Sequence, residues 1–214
     1  MGMATAVALY RKLSFDPLKD FEYIGQVVDV PMTMLARKDF PANNYAELIN
    51  YIKANKDKVS LANAGLGAVS HLCGLLFMSS IGIDLTTVPY KGTGPAMNDL
   101  LGGQVDLLCD QTTQTVPMIK EGRVKVYGVA SLKRLGALPN VPTLDEQGLH
   151  GLNFTSWNAL YAPAGTPQAI VQLLSKELQK ILSQPDTKKR IEAAGCVTRP
   201  GTSEALSKLT WSEY

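Results

Sequence analysis

The sequence predicts an α/β fold, in which helices flank a mostly parallel sheet. Three observations indicate this class. Strand-like and helix-like stretches alternate along the 214 residues, which is the order that joins parallel strands through helices. A unit of strand, small-residue turn and helix occurs twice in succession. The chain is also 45% hydrophobic with a formal net charge of +2, so it can bury enough apolar surface to fold.

The first predicted elements are an extended segment at 23–36, where Pro31 is a potential interruption, and a helix at 45–55. A short strand at 58–62 follows and ends in a turn of small residues at 63–67. The helix that leaves this turn has apolar residues at the spacing i, i+3, i+4, i+7 and i+8, which defines the face we expect it to bury. These residues are Val69, Leu72, Cys73, Leu76 and Phe77.

The second unit begins with a strand at 85–90 and continues through a glycine turn at 92–94 into a helix. Pro95 suits the first turn of that helix, and Gly102 with Gly103 ends it. The elements predicted next are a strand at 105–109, a helix at 115–120 and a strand at 125–131.

The carboxyl-terminal third starts with an irregular segment at 135–154, which contains one helical turn at 143–147. A strand at 157–162 precedes Thr166 and Pro167, which are typical of a helix N-cap and of the first helical position. The helix that follows has the clearest apolar periodicity in the chain. Its apolar residues are Ile170, Leu173, Leu174, Leu178, Ile181 and Leu182, and further helices are predicted at 184–194 and from Ser203.

The strand-to-helix turns at 65–70, 92–96 and 110–113 are predicted to share one edge of the sheet. Ligands of open α/β sheets bind at the carboxyl ends of the strands, so this edge is the expected ligand site. Backbone N–H groups and the positive end of the helix dipole attract a carboxylate or a phosphate there. Small residues, among them Gly65 and Gly67, let a ligand approach the backbone closely. Polar side chains on the same edge are Ser70, Thr93, Gln111, Thr112 and Thr113.

Charge and hydropathy argue against two classes of partner. The largest basic cluster is the triplet at 188–190, so we expect no nucleic-acid surface. The apolar stretch at 72–78 is far shorter than the roughly 20 residues that span a bilayer. Residues 1–7 lack the basic and apolar regions of a signal peptide.

The three cysteines, Cys73, Cys109 and Cys196, are widely separated and odd in number. This spacing predicts neither a disulfide framework nor a metal site of the CxxC type. We expect these residues to behave as small buried hydrophobic side chains.

Catalytic machinery is sparse in this sequence. Two histidines are too few for a multi-histidine metal site, and we expect no catalytic residue, no metal and no cofactor. Ser70 and His71 are helix neighbours that point about 100° apart, so they cannot form a catalytic pair. A nucleotide-dependent enzyme with residues 65–70 as a phosphate loop remains the alternative, although Ser70 replaces the third glycine of that fingerprint and Asp84 precedes the next strand. A purely structural or interaction module is a third hypothesis.

Five ordered motifs between residues 9 and 211 resemble the periplasmic solute receptors of tripartite tricarboxylate transporters, the Bug or TctC-like family. They are Asn-Ala-Gly-Leu-Gly-Ala-Val-Ser-His-Leu at 63–72, Val-Pro-Tyr-Lys-Gly-Thr-Gly-Pro-Ala at 88–96, Leu-Leu-Gly-Gly-Gln-Val-Asp at 100–106, Leu-Pro-Asn-Val-Pro-Thr at 138–143 and Tyr-Ala-Pro-Ala-Gly-Thr-Pro at 161–167. The resemblance implies a periplasmic-binding-protein-like, Venus flytrap fold. It also implies a non-enzymatic periplasmic receptor that captures a small carboxylate, whether a mono-, di- or tricarboxylate or an aromatic acid, and presents it to a membrane permease.

The resemblance further implies how the chain is divided. We expect 1–40 to be a remnant of the terminal lobe with the crossover strand, 41–131 the middle, ligand-binding lobe, 132–156 a crossover segment, and 157–214 the returning part of the terminal lobe. That division makes one complete α/β lobe and a partial second one. The residues that match the family's ligand contacts are Gly65, Gly67, Ala68, Val69, Ser70, Thr93, Asp110, Gln111 and Thr112.

Two departures from the family pattern bear on binding. Family members commonly have Ser or Thr where this chain has Ala68, which removes a hydroxyl contact. The family's opening strand and its Pro-Ala-Gly-Gly type loop have no counterpart before Leu9, so we expect a truncated chain with impaired binding. We also expect the uncovered inner face of the partial lobe to drive dimerisation or domain exchange.

Overall fold

The computed structural model describes residues 13–212. These residues form two compact units. The terminal unit combines the described chain up to Val30 with the chain from Ser156 onwards, and the middle unit is Pro31–Thr155. Residues 1–12, where we expected no signal peptide and the start of the terminal-lobe remnant, lie outside the described residues, as do 213–214.

A sheet with the strand order β3-β2-β4-β1-β5 forms the centre of the middle unit. β2 is parallel to β3 and β4, whereas β1 lies antiparallel between β4 and β5. The strands are β1 (Phe21–Arg37), β2 (Ser60–Asn63), β3 (Thr86–Pro89), β4 (Leu107–Gln111) and β5 (Val124–Val129). β2, β3 and β4 are parallel to one another as expected, but both ladders of β1 in this unit are antiparallel, so the sheet is mixed rather than mostly parallel.

β1 is one continuous strand through Pro31, so the suggested interruption is wrong. Its ladder with β7 (Val197–Thr198) ends at Asp29, and its ladder with β4 begins at Met32. Pro31 therefore falls between these two ladders, where its missing N–H costs neither of them a hydrogen bond.

Helices cover both faces of this sheet. They are α1 (Tyr45–Asn55), α2 (Val69–Ile81), α3 (Thr93–Leu101) and α4 (Thr112–Lys120). One core cluster joins Leu48 of α1 and Phe77 of α2 to Leu61. A second cluster joins Leu100 of α3 to Ala62. Because successive residues of a strand point to opposite faces, α1 and α2 lie on one side of β2 and α3 on the other.

The buried face of α2 differs from the predicted stripe. Cys73 and Phe77 are buried as expected, but Leu72 and Leu76 are only partly buried. Gly74 is buried instead, and a Cβ there would lie 3.0 Å from Leu61 Cδ2. The face of α2 that contains Gly74 is therefore the one that lies against β2. The apolar periodicity could not predict which face is buried, because α2 is apolar on most of its faces.

Cys73 of α2 and Cys109 of β4 form a disulfide. The expectation that the cysteines predict no disulfide is therefore wrong for this pair, whereas Cys196 is a free, half-buried thiol. The two residues are 36 positions apart in sequence, and their Cα atoms are 6.0 Å apart, within the range that a disulfide requires. The packing of α2 against β4 brings them together, which sequence spacing does not record.

The terminal unit contains the first part of β1, paired with β6 and β7, and the remaining helices. These elements are β6 (Thr155–Pro163), α5 (Gln168–Ser183), α6 (Pro185–Ala193) and α7 (Ser203–Ser212). α5 begins one residue later than predicted, with Pro167 as the N-cap. The Thr166 hydroxyl donates to the Pro163 carbonyl (2.7 Å) rather than capping the helix.

α5 exposes most of the apolar face that the sequence predicted to be buried. Val171, Ser175 and Leu182 form its buried side, whereas Leu173 is 59% exposed. The other exposed apolar residues of the helix are Ile170, Leu174 and Ile181. Within the described part of the terminal unit, α5 therefore packs through the side that contains Val171, Ser175 and Leu182, which is narrower than the predicted apolar face.

Candidate functional site

Three turns meet at one edge of the middle unit, at the carboxyl ends of the neighbouring strands β3, β2 and β4. Two backbone hydrogen bonds join the first two turns. Tyr90 N–H donates to the Asn63 carbonyl (2.9 Å), and Gly92 N–H donates to the Ala64 carbonyl (3.0 Å). The fold thus brings together the three segments that the sequence assigned to one edge.

The turn between β2 and α2 depends on glycine at position 65. Gly65 has a φ of 122°, and a Cβ there would lie 3.1 Å from the Tyr90 carbonyl oxygen. Gly65 N–H donates to Asn63 Oδ1 (3.0 Å), and its carbonyl accepts from Ala68 N–H (3.0 Å). Glycine therefore lets this turn fold tightly against the end of β3.

The first turn of α2 presents backbone amides at this edge. Residues 69–71 are the first three helical positions, and amides at such positions have no carbonyl partner within their own helix. Ala68, at the N-cap, makes no side-chain cap. α1 contrasts with this arrangement, because Asn44 Oδ1 accepts from Glu47 N–H (2.9 Å) at its N-terminus.

α3 and α4 begin in the same uncapped way as α2. Gly92 and Gln111 occupy their N-cap positions, and neither makes a side-chain cap. Thr93 and Thr112 are the first helical residues, and Thr112 is completely buried. Three adjacent helix N-termini without side-chain caps direct partial positive charge toward one edge, and such ends bind anions.

Ser70 and His71 are each engaged with a different backbone amide. Ser70 is 2% exposed, and its Oγ accepts from Ala64 N–H (3.3 Å). His71 Nδ1 accepts from Gly67 N–H (3.1 Å). Both side chains therefore shape the turn before α2.

Asp110 is 1% exposed, at the end of β4. One carboxylate oxygen, Oδ1, accepts from Gln111 N–H (2.7 Å), while Oδ2 has no hydrogen-bond partner among residues 13–212. Burial raises the pKa of this carboxyl, and the Gln111 amide and the Thr93 hydroxyl oppose that shift. Thr33 Oγ1, on the neighbouring strand β1, lies 3.2 Å from the Asp110 carbonyl oxygen and 2.8 Å from Thr115 Oγ1.

Asn63 and Tyr90 lie at this edge but are not among the predicted ligand residues. Asn63 is buried at the end of β2, and its Oδ1 holds the Gly65 amide. An Asn before a Gly-x-Gly turn is the signal that could have indicated this role, because Asn side chains bond to the backbone two residues on. The Tyr90 hydroxyl donates to Asp99 Oδ2 (2.7 Å), which raises the pKa of Tyr90 to about 12.

The nine predicted ligand residues fall into two groups. The partly exposed group can offer backbone or side-chain atoms to a ligand at the surface, and contact with a ligand stays a prediction for it: Gly65, Gly67, Ala68, Val69, Thr93 and Gln111. The second group is buried beneath the surface of the turns and helps to shape them: Ser70, Asp110 and Thr112. Among the described residues, no group of three or more His, Cys, Asp and Glu side chains could hold a metal ion.

The model of the tripartite tricarboxylate transporter family receptor matches residues 1–212. The chain belongs to this receptor family. A relative from Agrobacterium vitis, described as the UPF0065 protein in the TAR-I ttuE-ttuC' intergenic region, is 44% identical over 197 residues, which is 92% of this chain and 57% of the relative.

Two solved structures of similar proteins share the fold. Periplasmic binding protein BugD is 50% identical with a TM-score of 0.89, and the match covers 99% of this chain and 72% of BugD. MatC from Rhodopseudomonas palustris, solved with bound malate, is 38% identical with a TM-score of 0.85, and the match covers 99% of this chain and 73% of MatC. The predicted family and the periplasmic-binding-protein-like fold are therefore confirmed.

The chain spans only part of the length of its relatives, 57% for the protein from Agrobacterium vitis. None of the helices between residues 13 and 212 combines the length and the hydropathy of a membrane-spanning segment.

Proposed function

We propose that this chain is a solute receptor that binds a small carboxylate at the edge formed by the first turns of α2, α3 and α4. The observation that carries the proposal is the set of three adjacent helix N-termini without side-chain caps. Backbone amides at such ends hold a carboxylate without a formal positive charge from the protein. The malate bound to the relative MatC supports a carboxylate as the ligand class.

We assign the carboxylate to the first turn of α2, where the amide of the partly exposed Val69 has no carbonyl partner within the helix, with Thr93 and Gln111 beside it. The ligand would be a mono-, di- or tricarboxylate or an aromatic acid. Family membership supports delivery of this ligand to the permease subunits of a tripartite tricarboxylate transporter. The receptor acts by binding and presentation, so no bond of the ligand is made or broken.

We place this receptor in the periplasm. BugD, at 50% identity, is described as a periplasmic binding protein. The Cys73–Cys109 disulfide supports the same compartment, because disulfides persist in oxidising environments such as the periplasm and are rare in the cytosol.

We propose that the middle unit is the ligand-binding lobe of a two-lobed receptor. All nine predicted ligand residues lie within Pro31–Thr155. The division of the chain after Val30 and before Ser156 supports two lobes, while the boundaries at 40, 131 and 156 stay predictions.

Titration of the isotope-labelled chain with malate, adipate and citrate, followed by backbone amide chemical shifts, tests this proposal. We expect saturable shifts at 65–71, 93–94 and 111–113. The method registers dissociation constants up to about 1 mM, which corresponds to about −4 kcal/mol, so it also detects impaired binding. The neutral diamide of malate is the matched control and should leave these amides unshifted. Equal shifts with the diamide, or none with a wide panel of carboxylates, would contradict the proposal.

The alternatives predict other outcomes in a thermal-shift assay. A nucleotide-dependent enzyme would be stabilised by NAD, NADP or ATP, by about 2.7 kcal/mol at 100 times the dissociation constant. A purely structural module would respond neither to nucleotides nor to carboxylates. The proposed receptor responds to carboxylates alone.

A further inference from the structure

We propose that the Cys73–Cys109 disulfide positions the carboxylate site by holding the first turn of α2 against the end of β4. This inference rests on the proposed function, because it concerns the affinity of the same site. Cys73 lies one helical turn after Ser70, and Cys109 directly precedes Asp110. The disulfide therefore joins, through covalent bonds, the helix and the strand that adjoin two of the three turns that carry the predicted ligand residues.

Hydrogen bonds tie the turn before α2 to itself and to the β3 side of the edge. Ala64 N–H donates to Ser70 Oγ, and Gly67 N–H donates to His71 Nδ1. Gly92 N–H, from the turn after β3, donates to the Ala64 carbonyl. These contacts order the turn locally and fix it relative to β3.

The disulfide adds a covalent connection to β4, near the ligand edge, to the packing of α2 against that strand. The ladder between β2 and β4 pairs Leu61 with Leu107 and Ala62 with Leu108. Cys109 is the next residue of β4 after this ladder, on the side of the turns. The bridge thus extends the connection between the β2–α2 unit and β4 beyond the last ladder pair.

Because the bridge is buried, it is a permanent structural disulfide rather than a redox switch. Cys73 is 1% exposed and Cys109 is 0% exposed, within the core cluster that contains Phe77. Exchange requires a thiolate to reach a disulfide sulfur, so a buried bridge resists reduction by thiols in solution. A disulfide that orders the binding turns before the ligand arrives raises affinity, because the protein then loses less conformational entropy on binding.

The double variant Cys73→Ala/Cys109→Ala removes the bridge, and Cys196→Ala removes the free thiol of the terminal unit as the matched control. Amide-shift titration measures the affinity for whichever of malate, adipate and citrate binds the wild type most tightly. All proteins are compared at a temperature where each is fully folded. We expect the Kd of the double variant to rise about tenfold, which is about 1.4 kcal/mol, and that of Cys196→Ala to stay unchanged. Hydrogen exchange at 65–71 should accelerate in the double variant more than exchange in α1.

An unchanged Kd with a lowered Tm would overturn this inference, because the bridge would then stabilise the fold without ordering the site. Should the double variant fail to fold, wild-type protein refolded in a phosphine reductant provides the same comparison with native side chains. An intact mass that shows free Cys73 and Cys109 thiols in the oxidised wild type would overturn the inference alone. Wild-type protein that binds none of the three carboxylates would overturn the proposed function and this inference with it.

Discussion

At the scale of single residues, Gly65 is a position of the ligand edge where both backbone conformation and close packing require glycine. Its φ of 122° is one that residues with a Cβ rarely adopt, and the nearest obstacle to a Cβ is the backbone carbonyl of Tyr90, 3.1 Å away. Gly94, in the first turn of α3, has open space around the position of a Cβ. Comparing an alanine substitution at Gly65 with one at Gly94 therefore distinguishes the cost of backbone strain from the effect of replacing a glycine as such.

Gly65→Ala is expected to lower the free energy of unfolding by about 1–3 kcal/mol, the cost of a strained backbone conformation. Gly94→Ala, the matched control, is expected to be neutral or slightly stabilising, because Ala favours helix and restricts the unfolded chain. Urea unfolding followed by circular dichroism measures both. Similar effects at the two positions would contradict the role assigned to the Gly65 backbone.

Asp110 gives the middle unit a pH dependence whose sign follows from its burial. Burial raises the pKa of its carboxyl above the ordinary 3.8, against the Gln111 amide and the Thr93 hydroxyl. The folded protein therefore binds this proton more tightly than the unfolded chain does. The ionisation of Asp110 thus lowers stability as the pH rises from the unfolded pKa through the folded pKa, and it has no effect below both.

Asp110→Asn retains an oxygen that can accept from Gln111 N–H and removes the buried charge. We expect this variant to gain stability relative to wild type as the pH rises from about 4 toward neutrality, and to show no such gain below. Urea unfolding across this pH range measures the difference in free energy. A difference that stays constant with pH would rule out the titration of Asp110 as its cause.

At the scale of elements, α1 and α2 differ in how they begin. Asn44 caps α1 through its Oδ1, whereas Ala68 leaves the first turn of α2 without a side-chain cap. This difference matters because capping satisfies the same backbone amides that a carboxylate would use. The uncapped ends of α2, α3 and α4 share the ligand edge, whereas α1 follows the carboxyl end of the antiparallel strand β1, which lies at the opposite edge of the sheet.

Paired substitutions test the capping difference. Asn44→Ala is expected to lower the free energy of unfolding by about 1 kcal/mol, and Ala68→Ser is expected to raise it by a similar amount. Thermal unfolding monitored by circular dichroism measures both as opposite shifts of Tm. A destabilising Ala68→Ser would show that the turn before α2 cannot accommodate a capping hydroxyl.

Local signals predicted the existence and order of most elements. α1 matches its predicted range of 45–55, because Asn44 and the apolar spacing mark both its start and its face. α4 begins at Thr112, earlier than the predicted 115, because β4 runs into it without a loop. Such an abrupt transition is set by the packing of both elements, and the sequence shows only a run of polar residues there.

At the scale of the whole molecule, the exposed face of α5 is the largest difference between expectation and structure. Leu173 is 59% exposed, and Ile170, Leu174 and Ile181 are also exposed on the same helix. Clustered aliphatic residues at a surface favour association, because contact with another apolar surface removes them from water. The expected dimerisation or domain exchange stays a prediction, and this face is where we expect it to occur.

The wild-type chain is expected to show a mass by light scattering that rises with concentration toward that of a dimer. Leu173→Lys/Leu174→Lys should shift it to the monomer, since two charges on that face oppose its burial. Leu132→Lys, at an exposed leucine of the middle unit, is the matched control and should leave the association unchanged. A wild-type monomer at every concentration would refute the prediction.

Patterns in the amino-acid sequence were enough to predict the α/β class, the succession of strands, turns and helices, the receptor family, and the grouping of three turns at one edge. These features follow from residue spacing within single elements and from motifs, both of which are local. The three-dimensional structure was needed to show that β1 runs antiparallel between β4 and β5, that Cys73 is bonded to Cys109, and that α5 leaves aliphatic residues exposed. Each of these depends on contacts between residues far apart in the chain, and a packed core selects such contacts by the fit of whole elements rather than by local pattern.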